Sequence, residues 1–165
     1  MRLQSGISMV ETAVVVAIVA ILAVIGLPPL QELMSQHRAD ATMSALRADV
    51  ALARTSAIMS GRGVTVCPRT DIDSCAPTPA WQQGWLVRPT RAPDDDVTAN
   101  LRTGTLPGGV TLHSNRKALR YRSDGTSAGS NQTIRICVDG RQRATLVINN
   151  GGRPRSQRTV PHLPC

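Results

Sequence analysis

Arg153 and Arg155, separated by Pro154 and preceded by Gly151 and Gly152, are the residues of this 165-residue chain whose types and spacing best suit binding chemistry. Proline biases the residue before it toward an extended conformation. In an extended chain alternate side chains point the same way, ~6.6 Å apart at ~3.3 Å per residue. Arg153 and Arg155 then present two guanidinium forks, which match phosphate oxygens bidentately. Gly151 and Gly152 would let the backbone come close to such a ligand. Arg141, Arg143 and Arg158 are secondary candidates for a joint patch.

The charge distribution points the same way. Residues 1–111 hold nine basic and nine acidic side chains, whereas residues 112–165 hold ten basic ones against only Asp124 and Asp139. The whole formal excess of +8 therefore lies in the last third. Such asymmetry suggests a polyanionic partner, either nucleic acid or an anionic membrane surface. Aromatic content is 2%, so base stacking is a poor mechanism and contact should be to phosphates, with little dependence on sequence.

Other chemistry is weakly supported. His37, His113 and His162 are scattered, and no nucleophile, base and orienting acid form a recognisable set, so neither an enzyme nor a cofactor is expected. Asp94, Asp95 and Asp96 could attract a cation but read as a solvated loop. Cys67, Cys75, Cys137 and Cys165 are even in number and lack the Cys-x-x-Cys spacing of a zinc site, which favours disulfides and an oxidising compartment. Three connectivities are possible. The most local one pairs Cys67 with Cys75 and Cys137 with Cys165, tying the basic C-terminal segment back to a strand.

The elements that must position these groups begin with an apolar run over residues 7–30, ISMVETAVVVAIVAILAVIGLPPL, whose one charge is Glu11. It is long enough to cross a bilayer, which takes ~20 apolar residues. A cleavable secretory signal fits less well, because the apolar run is long and follows directly on a short polar leader ending in Gly6. A carboxylate near a bilayer costs ~2.5–3.5 kcal/mol or more, so Glu11 should have a partner. Pro28 and Pro29 should kink or locally melt the helix. Beyond them Ala39, Met43, Leu46, Val50, Ala53 and Ala57 recur at helical spacing, and Gly61 supplies a stop. Residues 31–60 are thus the amphipathic second half of one long helix.

After Gly61 the pattern becomes short β-rich runs at residues 64–67, 85–88, 110–113, 118–122, 133–138 and 144–149. Asp124-Gly125 and Asp139-Gly140 mark turns, the latter a hairpin. Trp81 and Trp85 read as core. A sheet packed on the helix gives an α+β domain. Residues 150–165 read as an exposed, mobile basic loop or tail.

MRLQSG followed by ISMVETAVVVAIVAILAVIGLP resembles a prepilin leader and mature pilin N-terminus, with Ile7 where such families usually have Phe. LARTSAIMSGRGVTVCP from Leu52, WQQGWLVR from Trp81 and YRSDGT from Tyr121 narrow the resemblance to the FimT/GspH group of minor pilins. It implies a type IV pilin-like fold, cleavage after Gly6 by a prepilin peptidase and N-methylation of Ile7. It also implies compensation of Glu11 by the new amino terminus of a neighbouring pilin, in a protein held in the inner membrane with its domain in the periplasm. The expected organisation is a leader at 1–6, a transmembrane helix at 7–30, a globular domain at 31–149 and a basic tail at 150–165. Gly152-Arg153-Pro154-Arg155 is similar to the Gly-Arg-x-Arg motif of DNA-binding FimT proteins, which implies non-specific binding of double-stranded DNA for uptake in natural transformation. The alternative is a structural minor pilin, or a type II secretion pseudopilin, that primes or caps a filament without binding DNA.

Overall fold

The computed structural model describes residues 8–70, 74–79, 81–91, 99–127, 129, 131–159 and 163–165. The leader at 1–6, Ile7, Asp94, Asp95, Asp96 and His162 lie outside these residues. Among the described residues a single helix, α1 (Met9–Ser60), is followed by eight strands: β1 (Val64–Pro68), β2 (Trp85–Pro89), β3 (Arg102–Gly104), β4 (Val110–Ser114), β5 (Leu119–Tyr121), β6 (Gln132–Val138), β7 (Arg141–Ile148) and β8 (Pro154–Arg158). The chain divides into two compact units, residues 1–35 and 36–165.

The first unit is helical. Its apolar side chains from Met9 to Leu27 are exposed, and a window within α1 reaches a mean hydropathy of 2.8, so the helix is long and apolar enough to cross a membrane. Glu11 sits in the first turn of α1, where a carboxylate complements the positive end of the helix dipole. Helical backbone continues through residues 28 and 29, so the local melting expected at the two prolines does not occur. Each proline removes only its own backbone donor, and the adjacent turns keep theirs.

The second unit packs the rest of α1 on two four-stranded antiparallel sheets, ordered β3-β2-β1-β5 and β4-β6-β7-β8. All six residues of the apolar stripe are buried. They share one core with Val64, Val66, Trp85 and Val87 of the first sheet and Leu112, Ile134, Ile136, Leu146 and Ile148 of the second. Trp81 and Trp85 are core residues, at 0% and 1% exposure. Polar groups fix the orientation of the helix. Asp49, only 6% exposed, accepts a 2.8 Å hydrogen bond from Trp85 Nε1 and lies 3.3 Å from Arg102 Nε on β3. A carboxylate so buried is tolerable because it is paired and hydrogen-bonded.

Asp139 and Gly140 both have positive φ, 51° and 76°, which is the conformation of the tight β6–β7 hairpin. The disulfides join Cys67 to Cys75 and Cys137 to Cys165. The second brings the C-terminal residues to the β6–β7 turn, where Cys165 N donates to Gly140 O and Gln142 N to Leu163 O.

Two strands depart from the sequence reading. β3 has three residues and no apolar run. β8 lies within the segment expected to be a mobile loop or tail, and it is the edge of the second sheet, paired to β7 from Ala144↔Arg158 to Ile148↔Pro154. An edge strand is held by backbone hydrogen bonds on one side and needs no apolar alternation, and proline is tolerated as its first residue.

Candidate nucleic-acid interface

The turn from β7 to β8 is tied down at Asn149, Asn150 and Gly152. Gly152 N donates to Asn149 O at 2.8 Å, and Arg153 N donates to the Asn149 side-chain oxygen at 3.0 Å. Ser127 clamps the same turn from outside, its Oγ donating to Asn149 O at 2.8 Å and its N to Asn150 O at 3.0 Å. Gly152 itself is buried with φ +74°, and its carbonyl accepts a 3.0 Å hydrogen bond from Tyr121 Oη. The expectation that Gly152 opens the backbone to a ligand is therefore corrected. Glycine is needed there because the backbone is left-handed and Gly125 and the Tyr121 ring press against it.

Tyr121 is the other half of this anchor. Burial pushes its phenol up to about 12, partly offset by the Arg54 guanidinium, so the hydroxyl stays a donor throughout the physiological range. Arg54 Nε in turn donates to Gly125 O at 3.0 Å. The Asp124-Gly125 turn is closed by Thr126, whose backbone N–H and hydroxyl both donate to Asp124 and hold its carboxyl below the usual range.

Register decides which side chains share a face. Ala144, Leu146 and Ile148 of β7 enter the core, so their β8 partners Arg158, Ser156 and Pro154 lie on the helix side. Accordingly Arg158 Nη2 meets Asp40 Oδ2 of α1 at 3.0 Å, and Arg47 Nη1 donates to Ser156 Oγ at 3.3 Å. Arg155 and Gln157 pair with Val147 and Thr145 on the opposite, outer face. Arg155 is carried by the edge strand and Arg153 directly precedes it. Both arginines of the expected pair are exposed.

The secondary candidates do not join it. Arg143 is 8% exposed and is the extra residue where the β6 register jumps from Ala144 to Gln142. Arg141 is exposed but sits at the hairpin end of β7, about 25 Å from Arg153 at ~3.3 Å per residue. Arg158 is exposed, but its charge is partly offset by Asp40.

Two cations that sequence reasoning missed do join it. Exposed Arg135 of β6 is the register partner of Thr145, which pairs with Gln157, so it shares the outer sheet face with Arg155. Arg47 of α1 lines an open concavity with Arg153, Pro154, Arg155 and Ser156. Alternation within β6 could have found Arg135; nothing in the local sequence marks Arg47. Among the described residues lining that concavity there is no acid.

A family model described as type II transport protein GspH matches residues 42–152, which include α1 from Thr42, all strands through β7 and the turn to Gly152. The chain belongs to the GspH family. No curated protein sequence matches this GspH-family chain. Its fold is similar to that of the type IV minor pilin FimU of Pseudomonas aeruginosa, with a TM-score of 0.56 at 20% identity over 72% of this chain and 91% of that one. It is also similar to the minor pseudopilin EpsH from the type 2 secretion system of Vibrio cholerae, with a TM-score of 0.52 at 18% identity over 73% of this chain and 97% of that one. One long N-terminal helix with antiparallel sheets is the pilin-like architecture, and this GspH-family chain shares it with both structures.

Proposed function

We propose that this GspH-family chain is a minor pilin that binds double-stranded DNA without sequence preference, through Arg153 and Arg155, and serves DNA uptake in natural transformation. The observation that carries the reading is the exposure of both arginines, at the start of an edge strand and next to a turn fixed by Asn149, Ser127 and Tyr121. Donors held in place lose less conformational freedom on binding than donors on a free tail. Arg135 and Arg47 supply further phosphate contacts on either side. Residues 7–30 anchor the protein in the inner membrane, with the globular domain in the periplasm. Cleavage after Gly6 and methylation of Ile7 prepare it for a filament, in which Glu11 pairs with the amino terminus of a neighbouring pilin.

The test is a DNA titration of the protein in uncharged detergent over a range of salt. Three or four phosphate contacts give log K against log salt a slope of roughly −3 to −4. Arg153→Gln and Arg155→Gln should each reduce the slope by about one and weaken all sequences alike. In cells with the matching uptake machinery, the double variant should lose transformation and still form pili. Absence of salt-sensitive binding by the wild type would favour the purely structural reading, in which the basic edge meets an acidic neighbour in a pilus or pseudopilus.

A further inference from the structure

The outer face of the second sheet continues from β8 to a histidine on the opposite edge strand, β4. Leu112, Ile134, Ile136, Leu146 and Ile148 enter the core, so the residues between them face outward. In register across all four strands, His113, Arg135, Thr145 and Gln157 form one row of that face. Thr133, Val147 and Arg155 form the next. On the other side of the first row Cys137 is fully buried and bonded to Cys165, so the C-terminal residues close that end of the face. The two rows themselves stay open: Arg135, Arg155 and Gln157 are exposed, and His113 and Thr145 are half-buried.

Arg135 has no carboxylate across from it. Its register partners are His113 and Thr145, and among the described residues of the two rows there is no acid. Opposite charges across strands stabilise a sheet, whereas a protonated histidine opposite an arginine is a like-charge pair. An anion lying over the pair reverses the sign. We infer that the duplex lies across this face, from Arg155 past Arg135 to His113, and that its binding takes up a proton at His113; this rests on the DNA-binding reading of Arg153 and Arg155. The Arg155 and Arg135 backbones are two strand spacings and two residues apart, ~12 Å, about the width of the major groove, so the two can meet phosphates on either side of it. His113 is one strand spacing from Arg135, ~5 Å, and extends the contact to the far edge. Histidine is the side chain that ordinarily changes charge between about pH 5 and 8, and both nitrogens of the protonated ring donate. Thr111 Oγ1 lies 3.5 Å from Nε2 as an acceptor. Arg135 is the charged residue that β6 places against His113, and β4 itself carries no acid and no other cation. A phosphate over the pair favours the imidazolium, so the complex holds more protons than the free protein and affinity rises as pH falls.

The experiment titrates a short fluorescent duplex with the full-length protein in uncharged detergent, at about pH 7.5 and about pH 5.5 and over a range of salt. One added phosphate contact steepens the slope of log K against log salt by about 0.9, which is about eightfold in affinity at about 0.1 M salt, so the wild type should gain that much on acidification. His113→Gln should match the wild type at the higher pH and gain nothing at the lower. His113→Lys should bind at the higher pH as the wild type does at the lower. Arg135→Gln should reduce the slope by about one at both. His37→Gln, at an exposed position on α1, should keep the gain. Trp fluorescence should report unchanged unfolding midpoints, because none of these positions is in the core. The crossing is ruled out if acidification leaves wild-type binding unchanged, if His113→Gln keeps the gain, or if Arg135→Gln keeps the full slope. Any of these results alongside weakened binding by Arg153→Gln/Arg155→Gln overturns the crossing and leaves the DNA-binding reading standing. A wild type that binds no duplex at either pH overturns both.

Discussion

Replacing Gly152 by alanine should separate the two roles that the Gly-Arg-Pro-Arg segment plays. The residue has φ +74°, and a Cβ there would fall against the Gly125 carbonyl and 2.7 Å from Tyr121 Cε1. A left-handed non-glycine residue costs about 1–2 kcal/mol. Forcing a methyl group into a packed site costs about 1–3 kcal/mol more. Displacing Tyr121 also removes its hydrogen bond to the Gly152 carbonyl, about 1 kcal/mol. The total is roughly 3–6 kcal/mol, which lowers the midpoint of a domain this size by roughly 10–20 °C. Trp81 and Trp85 are buried in the same unit, so their fluorescence follows the transition. Below its own midpoint, Gly152→Ala should also bind DNA more weakly, because the strand that carries Arg153 and Arg155 has shifted. Gly151→Ala is the control: its φ is ordinary, and its Cβ would meet only the Asn149 side chain, at 3.5 Å. Arg153→Gln and Arg155→Gln should melt like the wild type. A wild-type midpoint for Gly152→Ala, or equal losses for Gly151→Ala, would refute the anchoring argument.

Other outcomes follow from the same structure. Replacing Cys137 and Cys165 by serine should cost ~2–5 kcal/mol, measured as a lower midpoint, and should release the C-terminal residues from the β6–β7 turn to protease. Tyr121, the one tyrosine of the chain, has its folded pKa raised from 10.0 to about 12. The neutral phenol is therefore favoured by folding, and the stability it contributes is complete below pH 10 and lost as pH rises through 12; phenolate absorbance appearing near pH 10 in the folded protein would contradict this. Glu11→Val should leave the protein in the membrane and exclude it from filaments, and normal recovery in sheared pili would rule out the assembly role.

Legibility of the fold followed burial. Residues whose side chains enter the core left a period in the sequence: the six stripe positions of α1, and the alternation of Ile134, Ile136 and Val138 in β6. The Asp139-Gly140 turn was legible for a different reason, since few residues accept positive φ at both positions. β3 left no period because only Gly104 of its three residues is buried, and that glycine serves to admit the Trp85 ring. The division of eight strands between two sheets also had no local signature. It depends on which strands share register, a property of pairs of segments far apart in the chain.

The candidate site shows the same limit from the other side. The arginine types and their spacing were legible, because two arginines around a proline have few conformations available. Their support was not. β8 is exposed from Arg155 to Arg158, so nothing in its own composition distinguishes it from a tail; the evidence for a strand resides in β7, whose inward Ala144, Leu146 and Ile148 fix the register. That register also sorts the basic residues: Arg155 faces outward, Arg158 turns back to Asp40, and Arg143 is buried at the bulge. A count of positive charge gives each of these residues equal weight. Pairing makes them unequal, and so the face that Arg155 and Gln157 present is set by Val147 and Thr145, which carry no charge at all.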